Sequence, residues 1–279
     1  MRARCGFKSA ALPILLVLSL LFSGCGINAS YRPADKKTIR DFDASDAYRK
    51  RIGVLALINT TIFTSDQITA PFMDAFLSGL KSTVPDAQVL LPGTAENAHF
   101  LYDPPLIDNG DIDVFALAAQ SRQTGMNAVV SPIIMDIRTS KNDSGFWFFR
   151  GVSYLLQIQT AATVYDAITG SRLSLGILTE TIDISEAQAN AVDSGRETAV
   201  EALVEIARDM GEQLGEQMGK AIEESRWTAS VVSVEDGNCV IPAGSEVGIQ
   251  PGDRFSVLDV SDILTGLNGQ RFLVPGLTI

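Results

Sequence analysis

Arg51-Ile-Gly-Val-Leu-Ala-Leu-Ile58 is a continuous apolar run that is closed by Asn59-Thr-Thr61. A strand buried on both faces of a sheet has this uninterrupted pattern, whereas a half-exposed strand alternates polar and apolar residues. The run is therefore predicted to be a buried central strand. Residues 87–91 and 127–138 predict two further strands, and Pro132 in the second favours a sheet edge or a bulge.

Two helices are predicted between these strands. The first has Thr69 as its cap and Pro71 in its first turn, followed by apolar residues at every fourth position. The second begins at Asp111 and ends before Gly125, which suits the C′ position. Its predicted buried face consists of Ile112, Phe115, Ala116 and Ala119.

A hairpin and a long helix follow. Residues 156–165 and 172–184 alternate in polarity on either side of the turn Asp166-Ala-Ile-Thr-Gly170, which predicts two half-buried strands. Residues 197–224 carry an apolar stripe at helical spacing. Residues 51–225 are therefore predicted to form an α+β domain, an α/β-type sandwich with helices on a mixed sheet.

Gly211, Gly215 and Gly219 recur at four-residue spacing on the long helix. Each costs about 1 kcal/mol of helix propensity against alanine, but a row of small residues lets another backbone approach closely. Acidic residues on the same helix indicate an amphipathic helix rather than a membrane helix. The row is predicted to pack on the protein's own sheet, with oligomerisation as the alternative.

The first residues have the pattern of a secretory signal. Positive charges precede an apolar segment over residues 10–22, which is shorter than the roughly 20 residues that span a bilayer as a helix. Phe22-Ser-Gly-Cys25 resembles the lipobox of bacterial lipoproteins. This resemblance implies that residues 1–24 are removed and that Cys25 is acylated, with palmitate among its chains. An ordinary cleaved signal with an incidental cysteine is the alternative.

The lipoprotein resemblance also implies a location. An aspartate after the cysteine often signals retention at the inner membrane, and Gly26 stands there in this chain. The implied site is the outer membrane, on its periplasmic face. Residues 26–50 are polar and predict a flexible tether with an average reach of ~25–30 Å. Cys239, left alone for disulfide pairing, is predicted to be a small buried residue.

The element order, together with residues 125–130 and the turn over 166–170, resembles the periplasmic α/β domain of the curli-secretion lipoprotein family (CsgG-like). It is similar to the N-terminal domain of TolB as well. The resemblance covers residues 51–225 and implies the fold but not the pore. Two membrane hairpins need four stretches of ~9–11 residues, and only the loop over 143–154 is available here.

Residues 226–279 predict a small all-β barrel-like domain. Strands over 228–234 and 239–241 flank a turn, and Cys239 lies in the second. Residues 243–258 resemble the C-terminal domain of flagellar assembly protein T, where glycines shape two tight turns and Gly252-Asp-Arg254 leads into a strand. Further strands usually follow in that family, so this barrel is predicted to be incomplete or closed by another element.

Four consecutive aromatic residues stand between Gly145 and Arg150: Phe146, Trp147, Phe148 and Phe149. Such a run is costly to expose, which leaves two interpretations open. Either a hairpin tip folds back over the core, or the segment is a surface that meets lipid or a partner subunit.

Composition excludes several function classes. A net charge of −11, from 33 acidic and 22 basic residues, argues against nucleic acid as a partner. One histidine, His99, and three cysteines exclude a metal site that needs several such ligands. Asp108, Asp111 and Asp113 miss the spacing of a calcium-binding EF-hand loop, and capping explains the last two more simply. Phosphate-loop, dinucleotide, zinc-protease and serine-elbow motifs are missing. No catalytic residue, metal or cofactor is predicted.

The predicted function is that of a non-enzymatic lipoprotein scaffold of the cell envelope. It would be held by lipid at Cys25 and act through contacts with periplasmic or envelope proteins. The aromatic residues 146–149 are the first candidate contact, and the glycine row is the second. The alternative is a ring-forming subunit of an outer-membrane secretion channel, so a homo-oligomer stays open. A hydrolase is the third hypothesis.

Overall fold

The computed structural model describes residues 48–63, 66–94, 98–144, 151–196, 200–259, 262–266 and 269–274. These described residues fall in one compact unit, to which every element below belongs. Cys25 and the aromatic residues 146–149 lie outside the described residues. The domain boundary at residue 225 stays a prediction.

A six-stranded mixed sheet forms the centre of the fold. Its strands are β1 (Arg51–Val54), β2 (Ile58–Asn59), β3 (Gln88–Leu90), β4 (Ala128–Ser144), β5 (Gly151–Asp166) and β6 (Arg172–Ile184). The order is β3-β1-β4-β5-β6, and β2 pairs with β4 beyond the end of β1. β1 is parallel to β3 and β4, whereas β5 and β6 are antiparallel to their neighbours. The predicted single strand over 51–58 is thus two short strands.

In the described part of the chain, four helices pack on this sheet: α1 (Asp66–Thr83), α2 (Val114–Gln123), α3 (Glu186–Asp193) and α4 (Val200–Glu223). One core cluster joins α1 and α4 to one face, where Ile52 and Val54 of β1 are fully buried. A second cluster places Leu117 of α2 against Val129 on the other face. The α+β class with a mixed sheet is therefore confirmed.

Helix starts differ from the predicted ones. α1 begins at Asp66, before the predicted cap Thr69, so Pro71 lies inside the helix. Asp113, not Asp111, caps α2, because its carboxylate accepts the amides of Phe115 and Ala116. The buried face of α2 is consequently Val114, Leu117, Ala118 and Ser121 rather than the predicted one. Gly125 follows with a φ of +69°, as its predicted position requires.

Pro132 lies in a central strand, so the edge prediction was wrong, and the bulge falls between Ile134 and Asp136. Alternate residues of a strand direct their backbone groups to the same side. The carbonyls of Val130 and Ile134 accept hydrogen bonds on the side of β1 and β2. Pro132 lies midway between them, so its backbone nitrogen, which has no hydrogen to donate, faces the gap between β1 and β2.

Helix α3 was not predicted. Ser185 accepts the amide of Gln188, whose side chain accepts the amide of Ser185 in return. This reciprocal pair is a capping box, and the Ser-x-x-Gln spacing is its sequence signal.

The C-terminal region contains two separate hairpins, β7 (Ser233–Glu235) with β8 (Asn238–Val240) and β9 (Asp262–Thr265) with β10 (Arg271–Val274). The predicted strand after Arg254 was wrong, since residues 253–257 belong to no strand. The predicted burial of Cys239 was also wrong. Cys239 is exposed because all of β8 is exposed, so its apolar neighbours do not form a buried layer.

Candidate functional site

The two ends of the sheet are far apart because β4 and β5 are long strands. β1 starts at Arg51 beside the start of β4, and β4 then runs for 17 residues to Ser144. At about 3.3 Å per residue, β4 is roughly 55 Å long. We call the region around Tyr48–Arg51 the tether end, and residues 138–144 with 151–155 the hairpin arm. The segment 145–150 joins Ser144 to Gly151, its partner in the ladder.

The hairpin arm is polar on β4. Residues 138–144 include no apolar side chain, and Lys141, Asn142 and Asp143 are exposed. On β5, Val152 is 51% exposed, and the Lys141 ammonium lies 6.0 Å from the ring centroid of Tyr154. The predicted contacts 146–149 are attached to the end of this arm.

Helix α3 braces both strands of the arm. The Thr139 hydroxyl donates to the Asp193 carboxylate at 2.5 Å. The Glu186 carboxylate of α3 lies beside the Tyr154 hydroxyl, and a hydrogen bond between them, together with partial burial, raises the pKa of this hydroxyl. The arm is therefore held to the body at both of its strands.

At the tether end, Lys50 closes the end of α4. Its ammonium donates to the carbonyl oxygens of Ile222 at 2.5 Å, Glu223 at 2.9 Å and Ser225 at 2.5 Å. The last carbonyls of a helix have no partner within the helix and carry partial negative charge, so a cation there is stabilising. Lys50, the last residue of the predicted tether, is thus tied to a helix more than 170 positions away, so the prediction of a flexible segment was wrong at this residue.

Arg51 and Asn127 attach the C-terminal region to the same end. The Arg51 guanidinium donates to the Pro242 carbonyl at 3.1 Å and to the Glu246 carboxylate at 3.0 Å. The Asn127 side chain accepts the amide of Arg51 at 2.8 Å and donates to the Thr228 carbonyl at 2.7 Å. We call Lys50, Arg51 and these partners the N-terminal clamp.

The glycine row packs α4 against α1. A methyl group on Gly211 or Gly215 would overlap the carbonyl oxygen of Phe72 or Phe76, and one on Gly219 would lie 2.7 Å from Thr83 Cβ. Contacts advance in the same direction along both helices, so α1 and α4 are parallel. The expected partner was the sheet, and the structure places a helix there instead.

The described residues contain no group of three or more His, Cys, Asp or Glu side chains that could hold a metal ion. His99 is exposed in a short 3-10 helix, with its ring 6.3 Å from that of Tyr102. Asp113 is engaged in its cap, and Asp111 accepts a hydrogen bond from Asn109. None of the helices in this part of the chain is long and apolar enough to cross a membrane.

The N-terminal clamp and the contacts of α3 with Thr139 and Tyr154 were not predicted from the sequence. The capping box at Ser185 could have revealed α3. No local pattern marks Lys50 or Arg51, because their partners are far away along the chain.

No protein-family model and no curated protein matches the sequence. Among solved structures, the hypothetical protein CT253 from Chlamydia trachomatis is 12% identical, with 62% of this chain and 98% of that chain covered and a TM-score of 0.38. The PelC dodecamer from Paraburkholderia phytofirmans is 10% identical, with coverage of 64% and 90% and a TM-score of 0.37. Lipoprotein GNA1162 from Neisseria meningitidis is 14% identical, with coverage of 52% and 93% and a TM-score of 0.31. At TM-scores below 0.5, these likenesses assign neither a family nor a function to this chain.

Proposed function

We propose that this chain is a lipid-anchored, non-enzymatic scaffold on the periplasmic face of the outer membrane. In this proposal the hairpin arm contacts a protein of the envelope. The observation that carries it is the placement of the tether end and the hairpin arm at opposite ends of the sheet.

The distances favour a partner remote from the anchor. As a coil, the chain between Cys25 and Tyr48 has an average reach of ~25–30 Å. The far end of β4 lies roughly 55 Å from the tether end by its length. When the tether end of the folded body faces the membrane, the hairpin arm is therefore held away from the lipid.

The composition of the arm also favours a protein partner. A strand that faces lipid alternates apolar residues with residues directed inward. Residues 138–144 read Arg-Thr-Ser-Lys-Asn-Asp-Ser, which is polar on both faces. Since this stretch offers no lipid-facing side, we assign the aromatic residues 146–149 to a partner protein rather than to the bilayer.

Site-specific photo-crosslinking in the native cell envelope tests the proposal. A photoreactive residue at Asn142, on the arm, is expected to yield a discrete crosslink to another protein. The matched control places the same residue at Gln213, on the exposed side of α4, where we expect no crosslink. Replacement of Phe146, Trp147, Phe148 and Phe149 by serine should abolish the Asn142 product. An Asn142 product that survives this replacement would contradict the assignment.

The anchor and the channel alternative need separate measurements. The Cys25→Ser chain should leave the membrane fraction, and its retention would overturn the anchor. Light scattering of the lipidated chain in mild detergent should give a protein mass near that of one chain. A closed ring of many chains would overturn the scaffold and favour the secretion channel.

A further inference from the structure

We infer that three aromatic side chains at the tether end, Tyr48, Trp227 and Phe255, form a surface that rests on the phospholipid headgroups beside the anchor. We call them the aromatic cluster. This inference rests on the proposed function for the lipid at Cys25. It adds a membrane-contacting face on the folded body, at the end opposite the hairpin arm.

The three rings contact one another although they come from distant parts of the chain. The centroid of Tyr48 lies 5.1 Å from that of Trp227 and 5.7 Å from that of Phe255, and the last two are 5.8 Å apart. The indole N–H of Trp227 donates to the Arg49 carbonyl at 3.3 Å. Phe255 is 45% exposed. Tertiary contacts therefore build an aromatic surface that stays partly open to solvent.

Each ring is adjacent in sequence to an arginine: Arg49, Arg226 and Arg254. All three arginines are exposed, and none forms an ion pair with another described residue. The Asp253 carboxylate accepts the amide of Gln250 at 2.8 Å and also lies beside the Tyr48 hydroxyl, whose pKa it helps to raise, so one acid stands among the three arginines. Tyrosine and tryptophan rings favour the headgroup level, and arginine can bury its stem while its charge meets phosphate.

The segment between the predicted lipid and the folded body indicates that a membrane surface meets the aromatic cluster. The predicted lipid at Cys25 is joined to Tyr48 by residues 26–47, and Tyr48 is itself one of the three rings. The cluster is thus the first part of the body that the tether brings to the membrane. Because the anchor already holds the protein there, even a weak surface contact is populated at high effective concentration.

A second copy of the chain fits this surface less well. In a symmetric contact the same patch meets itself. Three exposed arginines would then face three others with only Asp253 of each copy among them, which leaves an unfavourable excess of positive charge. A phospholipid surface supplies phosphate groups instead.

Fluorescence quenching by brominated lipids tests the inference on the lipidated full-length protein. The chain has two tryptophans, so Trp147→Phe leaves Trp227 as the sole emitter. The protein is reconstituted in vesicles of phosphatidylethanolamine and phosphatidylglycerol that carry bromine either near the headgroups or deep in the acyl chains. We expect a blue shift of Trp227 on reconstitution and a larger loss of emission with shallow bromine than with deep bromine.

Two controls make the result decisive. Trp227→Phe leaves Trp147, on the segment attached to the hairpin arm, and should give no quenching. Arg226→Ser with Arg254→Ser, in the Trp147→Phe background, should reduce quenching of Trp227 while thermal unfolding and vesicle flotation stay unchanged. Equal Trp227 emission in brominated and plain vesicles, with the protein floating normally, would overturn the inference alone. Failure to float would instead overturn the anchor, and the inference with it.

Discussion

The backbone of Gly215 lies against the carbonyl oxygen of Phe76, so closely that no side chain fits between them. Gly211 meets Phe72 one turn earlier, and Gly219 meets Leu80 and Thr83 one turn later. Gly79 of α1 returns the contact, since a methyl group there would overlap the Glu212 carbonyl. The two parallel helices thus approach through small residues on both sides, which explains why α4 tolerates three glycines.

We expect Gly215→Ala to destabilise the protein, although alanine is the better helix former. Overpacking costs about 1–3 kcal/mol, whereas helix propensity returns about 1 kcal/mol. Thermal unfolding should therefore show a lower Tm. Gln213→Ala, on the exposed side of the same helix, is the control and should keep or raise the Tm. A higher Tm for Gly215→Ala would refute the close contact between α1 and α4.

Lys50→Met removes the charge that closes the end of α4 and keeps most of the side-chain stem. We expect a loss of about 1–2 kcal/mol in the free energy of unfolding, because three helix-end carbonyls lose a charged donor. Chemical denaturation measures this loss. Lys81→Met is the matched control, since Lys81 lies in the last turn of α1 and makes no hydrogen bond to the described carbonyls. Equal losses in the two variants would count against the clamp.

The Arg51–Glu246 contact should depend on pH. Backbone hydrogen bonds at Glu246 and Gly244, together with the charge of Arg51, hold the pKa of the Glu246 carboxyl below its ordinary value of 4.5. The folded state therefore binds this proton less tightly than the unfolded state does, so the contact stabilises above pH 4.5 and is lost as pH falls through the folded pKa.

Glu246→Gln should therefore lower the Tm slightly at pH 7, because Glu246 is half exposed and its ion pair is screened. The difference from the parent protein should disappear in acid. A difference that stays constant from pH 7 to pH 3 would show that the carboxylate charge is not involved.

Strand β6 exposes an apolar patch on an edge of the described sheet. Leu173, Leu175 and Ile177 are exposed, and the strand is 13 residues long. Such an edge is open to pairing with other chains. We expect Ile177→Lys to slow aggregation on heating without lowering the Tm, because Ile177 is 52% exposed. Thr181→Lys adds the same charge outside the patch, and equal protection by both would argue against a role for the patch.

Elements that depend on neighbouring residues in the sequence were predicted with the most success. The alternation over 172–184 gave β6 its observed bounds, and the turn at Asp166 forms with Gly170 at a φ of +75°. The apolar stripe of α4 is buried through Leu203, Met210, Leu214, Met218 and Ile222. In α4 the period of the apolar stripe equals the period of the helix, whereas the apolar residues Leu173, Leu175 and Ile177 of β6 lie on its exposed side, so the predicted half-burial fails there.

Long-range packing determines the features that could not be predicted from the sequence. Cys239 is exposed because no described layer covers β8, which its apolar neighbours could not reveal. The glycine row indicated a close backbone contact but not which element makes it, since glycine lets a strand and a helix approach equally closely. The clamp joins Lys50 to α4 across most of the chain, and contacts between such distant residues cannot be predicted from the pattern of polar and apolar residues.

The N-terminal clamp has a mechanical consequence. Tension applied through a membrane anchor would enter the folded body at Tyr48–Arg51 and would first load the three carbonyl contacts of Lys50 and the bonds of Arg51. β1, which lies between two parallel neighbours, could separate from them only after these contacts had broken. The clamp would then distribute a load on the anchor over the end of α4 and residues 242–246. The strands of the central sheet would therefore not be the first elements to separate.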